Sequence, residues 1–171
     1  MELTTERLYL NSFEQSDKNK LVELLNEPRI AATTAGIPYP FEMKDAEAFL
    51  EKSESTKEQG HINFAIRFKD NGELIGCIAL YTELSHNRAM VGFWLTPIFW
   101  NKGIMSEALI RVIDYGLNVM KLNRIEGHHL AGNDASAKVM LKSGMLLEGI
   151  FKARVVKDGL VFDTHHYGII K

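Results

Sequence analysis

The stretch "FWNKGIMSEAL", residues 99–109, joins a glycine turn to the first turn of an amphipathic run, and that combination can bind an anion. Gly103 permits a backbone turn with an unusual φ angle. A helix that starts directly after the turn presents free N–H groups and the positive end of its dipole. Such a helix end binds phosphate, and the ammonium group of Lys102 adds positive charge. The competing interpretation is an ordinary helix start after a loop that ends in glycine.

Other phosphate-binding motifs do not fit the sequence. The spacing G-x-x-x-x-G-K-[ST] is absent, and no G-x-G-x-x-G follows the strand before the loop, so nucleoside triphosphates and NAD are poorly supported ligands. The net charge of −2 and the isoelectric point of about 6.3 give no broad electrostatic reason to expect a nucleic acid or an anionic membrane as partner.

Composition is typical of one soluble domain, and we assign residues 1–171 to a single domain. No signal-peptide core is visible and no run approaches the ~18 apolar residues of a membrane span, so a cytoplasmic location is expected. The one cysteine, Cys77, lies in an apolar run, and we interpret it as a small buried hydrophobe.

The first part of the chain mixes strand and helix patterns. Alternating leucines predict a strand over residues 6–13, and leucines at helical spacing predict a helix that begins at Ser16 and Asp17. Two prolines make residues 34–41 a loop. A charged helix is expected over residues 43–59.

The second part predicts a sheet interrupted by two helices. Three strands joined by short turns come first, and Asn71-Gly72 is a strong hairpin signal. The long helix after the glycine loop runs to about Met120, and a strand "NRIEGHHLA" follows it. Asp134 is expected to cap the next helix, which ends at Gly144, and a hairpin closes the chain. This order predicts a mixed α+β fold.

Four segments, in order and at suitable separations, resemble the GNAT superfamily of acetyl-CoA-dependent N-acetyltransferases, and within it the RimJ/RimL ribosomal-protein branch. They are "TERLYLNSF", "NRAMVGFWLTPIFWNKGIMSEAL", "LNRIEGHHLAGNDASAKVMLKSGMLLEG" and "DGLVFDTHHYGII", and they extend over nearly the whole chain. The resemblance implies a mostly antiparallel seven-stranded sheet, splayed between strands 4 and 5 and flanked by about four helices. It also implies acetyl-CoA as cofactor, an amine acceptor and no metal.

The resemblance places the cofactor's pyrophosphate on the backbone of the glycine loop. The family loop reads Q/R-x-x-G-x-G/A, and here Trp100 occupies the first position, Gly103 the fourth and Met105 the last. The bulk of Met105 could narrow the loop. The pantetheine arm would run along the splayed strand and contact Asn133. The implied cofactor-binding residues are Phe93, Trp94, Leu95, Asn101, Lys102, Gly103, Ile104, Met105, Ser106, Asn133 and Ser136.

The implied reaction is direct attack of an amine on the acetyl thioester. A backbone N–H near Leu95 is the expected oxyanion donor, and Ser136 is the expected hydrogen-bond partner of the sulfur. The family's Glu on the fourth strand is replaced by Met90, which cannot accept a proton. A structural role is the favoured interpretation of each neighbouring histidine. The titratable residues near this position in the chain are Glu83, His86, His128 and His129.

The absence of an acidic residue at position 90 affects which class of amine the enzyme can use as acceptor. Roughly 15% of an α-amine, but only about 0.04% of a lysine amine, is neutral at pH 7, so an enzyme without a dedicated base acts more easily on α-amines. A protein or peptide N-terminus is therefore favoured over a polyamine or small amine such as an aminoglycoside. A CoA-binding sensor or scaffold that has lost turnover is the alternative from another class, and another acyl-CoA stays open.

The acceptor groove is expected between the N-terminal helices and the closing hairpin. Asp163 or Glu148 could hold an ammonium group there. An exposed sheet edge could also pair two chains into a homodimer. The aromatic residues expected to shape the groove are Tyr39, Phe41, Tyr81 and Tyr167.

Overall fold

An open sheet of eight strands forms the centre of residues 2–171, which are the residues that the computed structural model describes. The strands are β1 (Leu3–Thr4), β2 (Leu8–Ser12), β3 (Ile62–Phe68), β4 (Leu74–Glu83), β5 (Arg88–Leu95), β6 (Arg124–Leu130), β7 (Leu146–Lys157) and β8 (Leu160–Ile170). Their spatial order is β1-β2-β3-β4-β5-β6-β8-β7. Neighbours are antiparallel except β5 and β6, which are parallel because a helical crossover connects them.

Helices cover both faces of the sheet. They are α1 (Lys18–Leu25), α2 (Pro28–Thr33), α3 (Met43–Ser55), α4 (Ile104–Asp114) and α5 (Asp134–Lys142). A π-helical segment, Tyr115–Val119, continues α4 to the end that the sequence predicts. None of the described helices combines the length and apolar character needed to cross a lipid bilayer.

Two hydrophobic cores lie on opposite faces of the sheet. The first core packs α4 and α5 against apolar side chains of β2 to β6, with Phe64, Leu109 and Ile125 almost fully buried. The second core packs α1, α2 and α3 against the other face of β3 to β5. Cys77 is buried in this second core, as its apolar run predicts, and burial raises the pKa of its thiol.

The sheet is splayed between β5 and β6, as the resemblance implies. The two strands pair only from Arg88 to Val91 on β5 and from Arg124 to Gly127 on β6. Beyond Val91 and Gly127 they separate and leave a slot between their C-terminal ends. We call this opening the β5–β6 slot. The glycine loop follows the end of β5, and α5 follows the end of β6, so both begin at the slot.

The structure corrects three predictions about the elements. The described residues form eight strands rather than seven and five α-helices rather than about four, because the two-residue β1 and the six-residue α2 are too short to show a period. Glu27 caps α2 through a hydrogen bond from the Arg29 N–H, and Pro28 takes its first position. Asn133, not Asp134, caps α5, because its side chain accepts the Ser136 N–H at 3.1 Å.

Candidate active site

The glycine loop forms a concave row of backbone N–H groups at the start of α4. Asn101 and Gly103 adopt left-handed conformations with φ of 61° and 75°, and such residues turn successive N–H groups toward one point. The first helical hydrogen bond runs from the Glu107 N–H to the Gly103 carbonyl at 3.0 Å. The N–H groups of residues 104–106 therefore have no partner within the helix. This main-chain arrangement fits an anionic group such as pyrophosphate.

The side chains of the loop support this backbone shape. Ile104 and Met105 are buried in the first core, so Met105 points away from the loop and does not narrow it, contrary to expectation. Lys102 is exposed, and its ammonium group lies 5.5 Å from the centroid of the Phe99 ring. The Trp100 indole N–H donates to the Leu95 carbonyl at 2.7 Å and so ties the loop to the end of β5.

An ion pair neutralises the one acidic side chain in the first turn of α4. Burial by itself would raise the pKa of Glu107, but hydrogen bonds from Thr5 and Arg7 lower it. The Arg7 Nε donates to Glu107 at 2.7 Å, and the Arg7 Nη1 donates to the Lys102 carbonyl at 3.2 Å. Arg7 therefore offsets the negative charge beside the anion site and holds the loop against β2.

The backbone of β5 is directed into the slot at alternate residues. The Thr96 N–H donates across to the Ile75 carbonyl at 2.9 Å. Because backbone groups of a strand point to alternate sides, those of Phe93 and Leu95 face the slot instead. The Leu95 carbonyl already accepts the hydrogen bond from the Trp100 indole, so the Leu95 N–H is the group that remains for a ligand in the slot. Trp94 does not line the slot, because its side chain is buried in the second core and its backbone faces β4.

The other side of the slot is the start of α5. The Asn133 Oδ1 is occupied by the cap, while its amide nitrogen lies 3.5 Å from the Thr33 carbonyl. Ser136 is half-buried in the first turn, and within residues 2–171 its hydroxyl makes no side-chain hydrogen bond. On this side the Ser136 hydroxyl is therefore available, whereas the Asn133 side chain contacts protein groups through both its oxygen and its nitrogen.

Polar groups gather on the α1–α3 face of the sheet near the slot. Met90 pairs with Tyr81 on β4 and with Glu126 on β6, so the three side chains share this face. His128 follows two residues after Glu126 and pairs with His166 on β8. The two imidazole rings stack with centroids 5.0 Å apart and planes 17° apart.

The carboxylates near this face already have cationic partners. Glu148 forms a bidentate pair with Arg124, and the hydrogen bonds lower the pKa of Glu148. Arg124 also donates to Glu126 at 3.0 Å. Asp163 alternates with Thr164 along β8 and so lies on the opposite face of the sheet, where it accepts from Lys152 at 2.8 Å, which lowers the pKa of Asp163. Glu148 and Asp163 are both ion-paired within the chain, and a role for either in holding a substrate ammonium group stays a prediction.

The four predicted acceptor aromatics separate into two pairs. Phe41 is buried in the second core, and its backbone is fixed by the Asn26 side chain. Tyr167 is buried on the opposite face of the sheet, with its hydroxyl 3.3 Å from His129. These two cannot line a groove. Tyr39 is exposed, and so is Tyr81 beside Met90.

A cavity of about 710 Å³ opens between α2, the loop after it and the turn that joins β7 to β8. Its lining includes Pro28, Ala31, Ile37, Tyr39 and Val156. The cavity lies in the region where the sequence predicts the acceptor groove, and its wall combines apolar side chains with the polar residues Lys157 and Asp158.

A family model described as "Acetyltransferase (GNAT) domain" matches residues 7–146. The chain belongs to the GNAT acetyltransferase family. It is therefore an acyltransferase that uses acetyl-CoA, and the free N–H groups at α4 together with the open slot fit the pyrophosphate and the pantetheine arm. Three comparisons place this GNAT chain among its relatives.

The relatives include two curated proteins and one solved structure. The "Uncharacterized N-acetyltransferase YnaD" of Bacillus subtilis (strain 168) is 30% identical over 172 residues, which is 100% of this chain and 98% of the relative. The "Ribosomal-protein-serine acetyltransferase" of Escherichia coli (strain K12) is 29% identical over 114 residues, 66% of this chain and 63% of the relative. RimL, a ribosomal α-N-protein acetyltransferase solved with coenzyme A, superposes with a TM-score of 0.90 at 19% identity, covering 99% of this chain and 98% of that one, and shares the fold.

We expect Asn133→Asp to weaken acetyl-CoA binding by about tenfold, because it removes the amide N–H donor that the resemblance assigns to the pantetheine arm. Aspartate keeps the helix cap, so thermal stability should stay close to that of the wild type. Asn133→Ala should weaken binding as well and also lose about 1 kcal/mol of stability with the cap. Calorimetric titration with acetyl-CoA measures both variants, and an unchanged affinity for Asn133→Asp would remove this residue from the cofactor site.

Proposed function

We propose that this enzyme transfers the acetyl group of acetyl-CoA to the α-amine at the N-terminus of a protein or peptide. The observation that carries the proposal is the charge on the acceptor side of the slot. Glu126 and Glu148 are both ion-paired with Arg124, so neither of these carboxylates on this face is without a cationic partner. A polyamine carries several ammonium groups and would need free carboxylates there.

The names of two relatives support the same acceptor class. The Escherichia coli relative is named for a serine of a ribosomal protein, and RimL is described as an α-N-protein acetyltransferase. The cavity beside Tyr39, which has both apolar and polar walls, is large enough for the side chains that follow an N-terminal amine. We assign the body of the acceptor peptide to this cavity.

The chain's own groups can serve two requirements of the reaction, at the carbonyl oxygen and at the leaving sulfur. Acetyl-CoA supplies an activated acetyl carbonyl when bound. The backbone N–H groups of Leu95 and Phe93 face the slot, which supports a role as donors to the carbonyl oxygen as negative charge develops. Ser136, on the other side of the slot, is our assignment for the hydrogen bond to the leaving sulfur.

The proposal is tested by free-thiol release from acetyl-CoA in the presence of defined acceptors. The set contains short peptides with free N-termini, the same peptides with blocked N-termini, and spermidine. Release that requires a free α-amine supports the proposal. Release with spermidine alone would replace it with polyamine acetylation. Saturable acetyl-CoA binding without release from any acceptor would indicate a binding module, consistent with Met90 in place of an acidic residue.

We expect Ser136→Ala to lower turnover about tenfold while the KM for acetyl-CoA changes little, because the hydroxyl acts on sulfur only as the bond breaks. Ser143→Ala is the matched control, since Ser143 lies at the other end of α5 and bonds only the Val139 carbonyl. Steady-state thiol release measures both. Equal kcat values for Ser136→Ala and the wild type would end the assigned role.

A further inference from the structure

His128 occupies a distinctive position at the β5–β6 slot. Gly127 is the last residue of β6 that pairs with β5, so His128 is the first residue beyond the point where the strands separate. Alternation along β6 places its side chain on the same face as Glu126, which pairs with Met90. His128 therefore lies one strand over from Met90 and two residues further toward the opening.

The surroundings of His128 keep its imidazole ring ordered and neutral. The ring stacks on His166, and the Thr164 hydroxyl lies 2.8 Å from His166 Nε2, which fixes the second ring. Burial lowers the pKa of His128, and the neighbouring His166, His129 and Arg154 lower it further, while Glu126 opposes them. At pH 7 the imidazole is neutral and can accept a proton.

The other titratable residues that could act as the base lie away from the slot or already contact other groups. Glu83 and His86 lie at the far end of the β4–β5 hairpin, where Glu83 pairs with Arg88 at 2.6 Å. The His129 Nδ1 lies 2.8 Å from the Leu130 carbonyl on the opposite face of the sheet. Within residues 2–171, by contrast, His128 makes no side-chain hydrogen bond through either ring nitrogen.

We propose that His128 is the general base that accepts the proton of the attacking amine, a role that rests on the proposed acetyl transfer. The acceptor nitrogen forms a bond to the carbonyl carbon while the carbon–sulfur bond breaks. The neutral amine nitrogen loses one proton, which passes to His128 directly or through one water molecule. The leaving thiolate takes one proton from solvent, and His128 returns its proton to solvent. In this chain the general base is thus carried by β6, the parallel neighbour of β5, on which Met90 occupies the position of the family's Glu.

The test is the pH dependence of kcat/KM for a peptide with a free N-terminus. The rate is measured as thiol release at saturating acetyl-CoA. At pH values below the pKa of both the amine and His128, each group must lose a proton before the reaction. A plot of log kcat/KM against pH should therefore rise with a slope of 2 for the wild type. His128→Gln removes one ionisation, so its slope should be 1. At pH 7 we expect a loss of about 100-fold in this variant.

Two controls separate a catalytic role from a structural one. His86→Gln removes an exposed histidine far from the slot and should keep the slope of 2 and the full rate. His128→Gln should bind acetyl-CoA with wild-type affinity, because the side chain lies on the acceptor face.

The outcomes distinguish this inference from the proposed function. A His128→Gln variant with a slope of 2 and wild-type rate would overturn the role of His128 while leaving the acceptor class intact. Turnover with spermidine but no peptide would overturn the acceptor class, and the same slope comparison with spermidine would still decide on His128. No turnover with any amine would overturn both.

Discussion

Gly103→Val should weaken acetyl-CoA binding about 30-fold while the protein stays folded. Gly103 has φ of 75°, and a β-branched residue is strained there. The added Cβ would meet only Arg7, at 3.7 Å, so space is not the problem. The backbone can relieve the strain by leaving the left-handed region, which turns the free N–H groups of α4 away from the pyrophosphate. Losing one or two such charge-assisted bonds corresponds to about 2 kcal/mol.

Calorimetric titration with acetyl-CoA measures this effect. Gly72→Val is the matched control, because Gly72 has φ of 72° in the β3–β4 turn and an added Cβ there has open space. The control suffers comparable backbone strain far from the slot, so it should lose a similar amount of stability and keep its affinity. If the two variants bind acetyl-CoA equally well, the loop conformation does not create the anion site.

Asp17→Ala should lower the free energy of unfolding by about 3 kcal/mol. Asp17 and Arg67 form an ion pair at 2.6 Å whose side chains are only 8% and 15% exposed. Asp17 also accepts the Glu14 N–H at 2.8 Å and so holds the start of α1 against β3. Removal of the carboxylate leaves the Arg67 charge buried without its partner, which is far more costly than loss of an exposed pair.

Urea unfolding checks this prediction. The free energy of unfolding and its slope with urea concentration are compared between the variants. Glu47→Ala is the control, because the Lys18–Glu47 pair is exposed and should contribute less than about 1 kcal/mol. Adding Arg67→Met to Asp17→Ala removes the stranded charge, so the double variant should be more stable than the sum of the single changes implies. Additive losses would show that the pair is not coupled.

Local signals in the sequence predict the glycine loop and most of the strands. The glycine at position 103, the apolar strand before it and the amphipathic helix after it predict the anion site without knowledge of any distant contact. Hairpin chemistry at Asn71-Gly72 likewise predicts the turn between β3 and β4. The six residues of α2 span too short a stretch for helical periodicity, although Pro28 after Glu27 is a recognisable start signal.

The acceptor side depended on information that no single segment contains. Which face receives Tyr167 follows from its pairing with Gly127, and the burial of Phe41 follows from helices packed on the other face. The relation of His128 to Met90 requires the register of two parallel strands that are far apart in sequence. Strand pairing also decides which cation each carboxylate meets. Arg124 on β6 and Glu148 on β7, for example, come together only in the folded sheet.

The contact between Arg7 and Glu107 joins residues 100 positions apart and completes the cofactor loop. During synthesis the N-terminal segment emerges early and must wait until α4 has been made before this contact can form. Closing so long a stretch of chain costs conformational entropy before the contact stabilises the fold. The loop that we assign to acetyl-CoA therefore takes its final shape only when residues from both halves of the chain have come together.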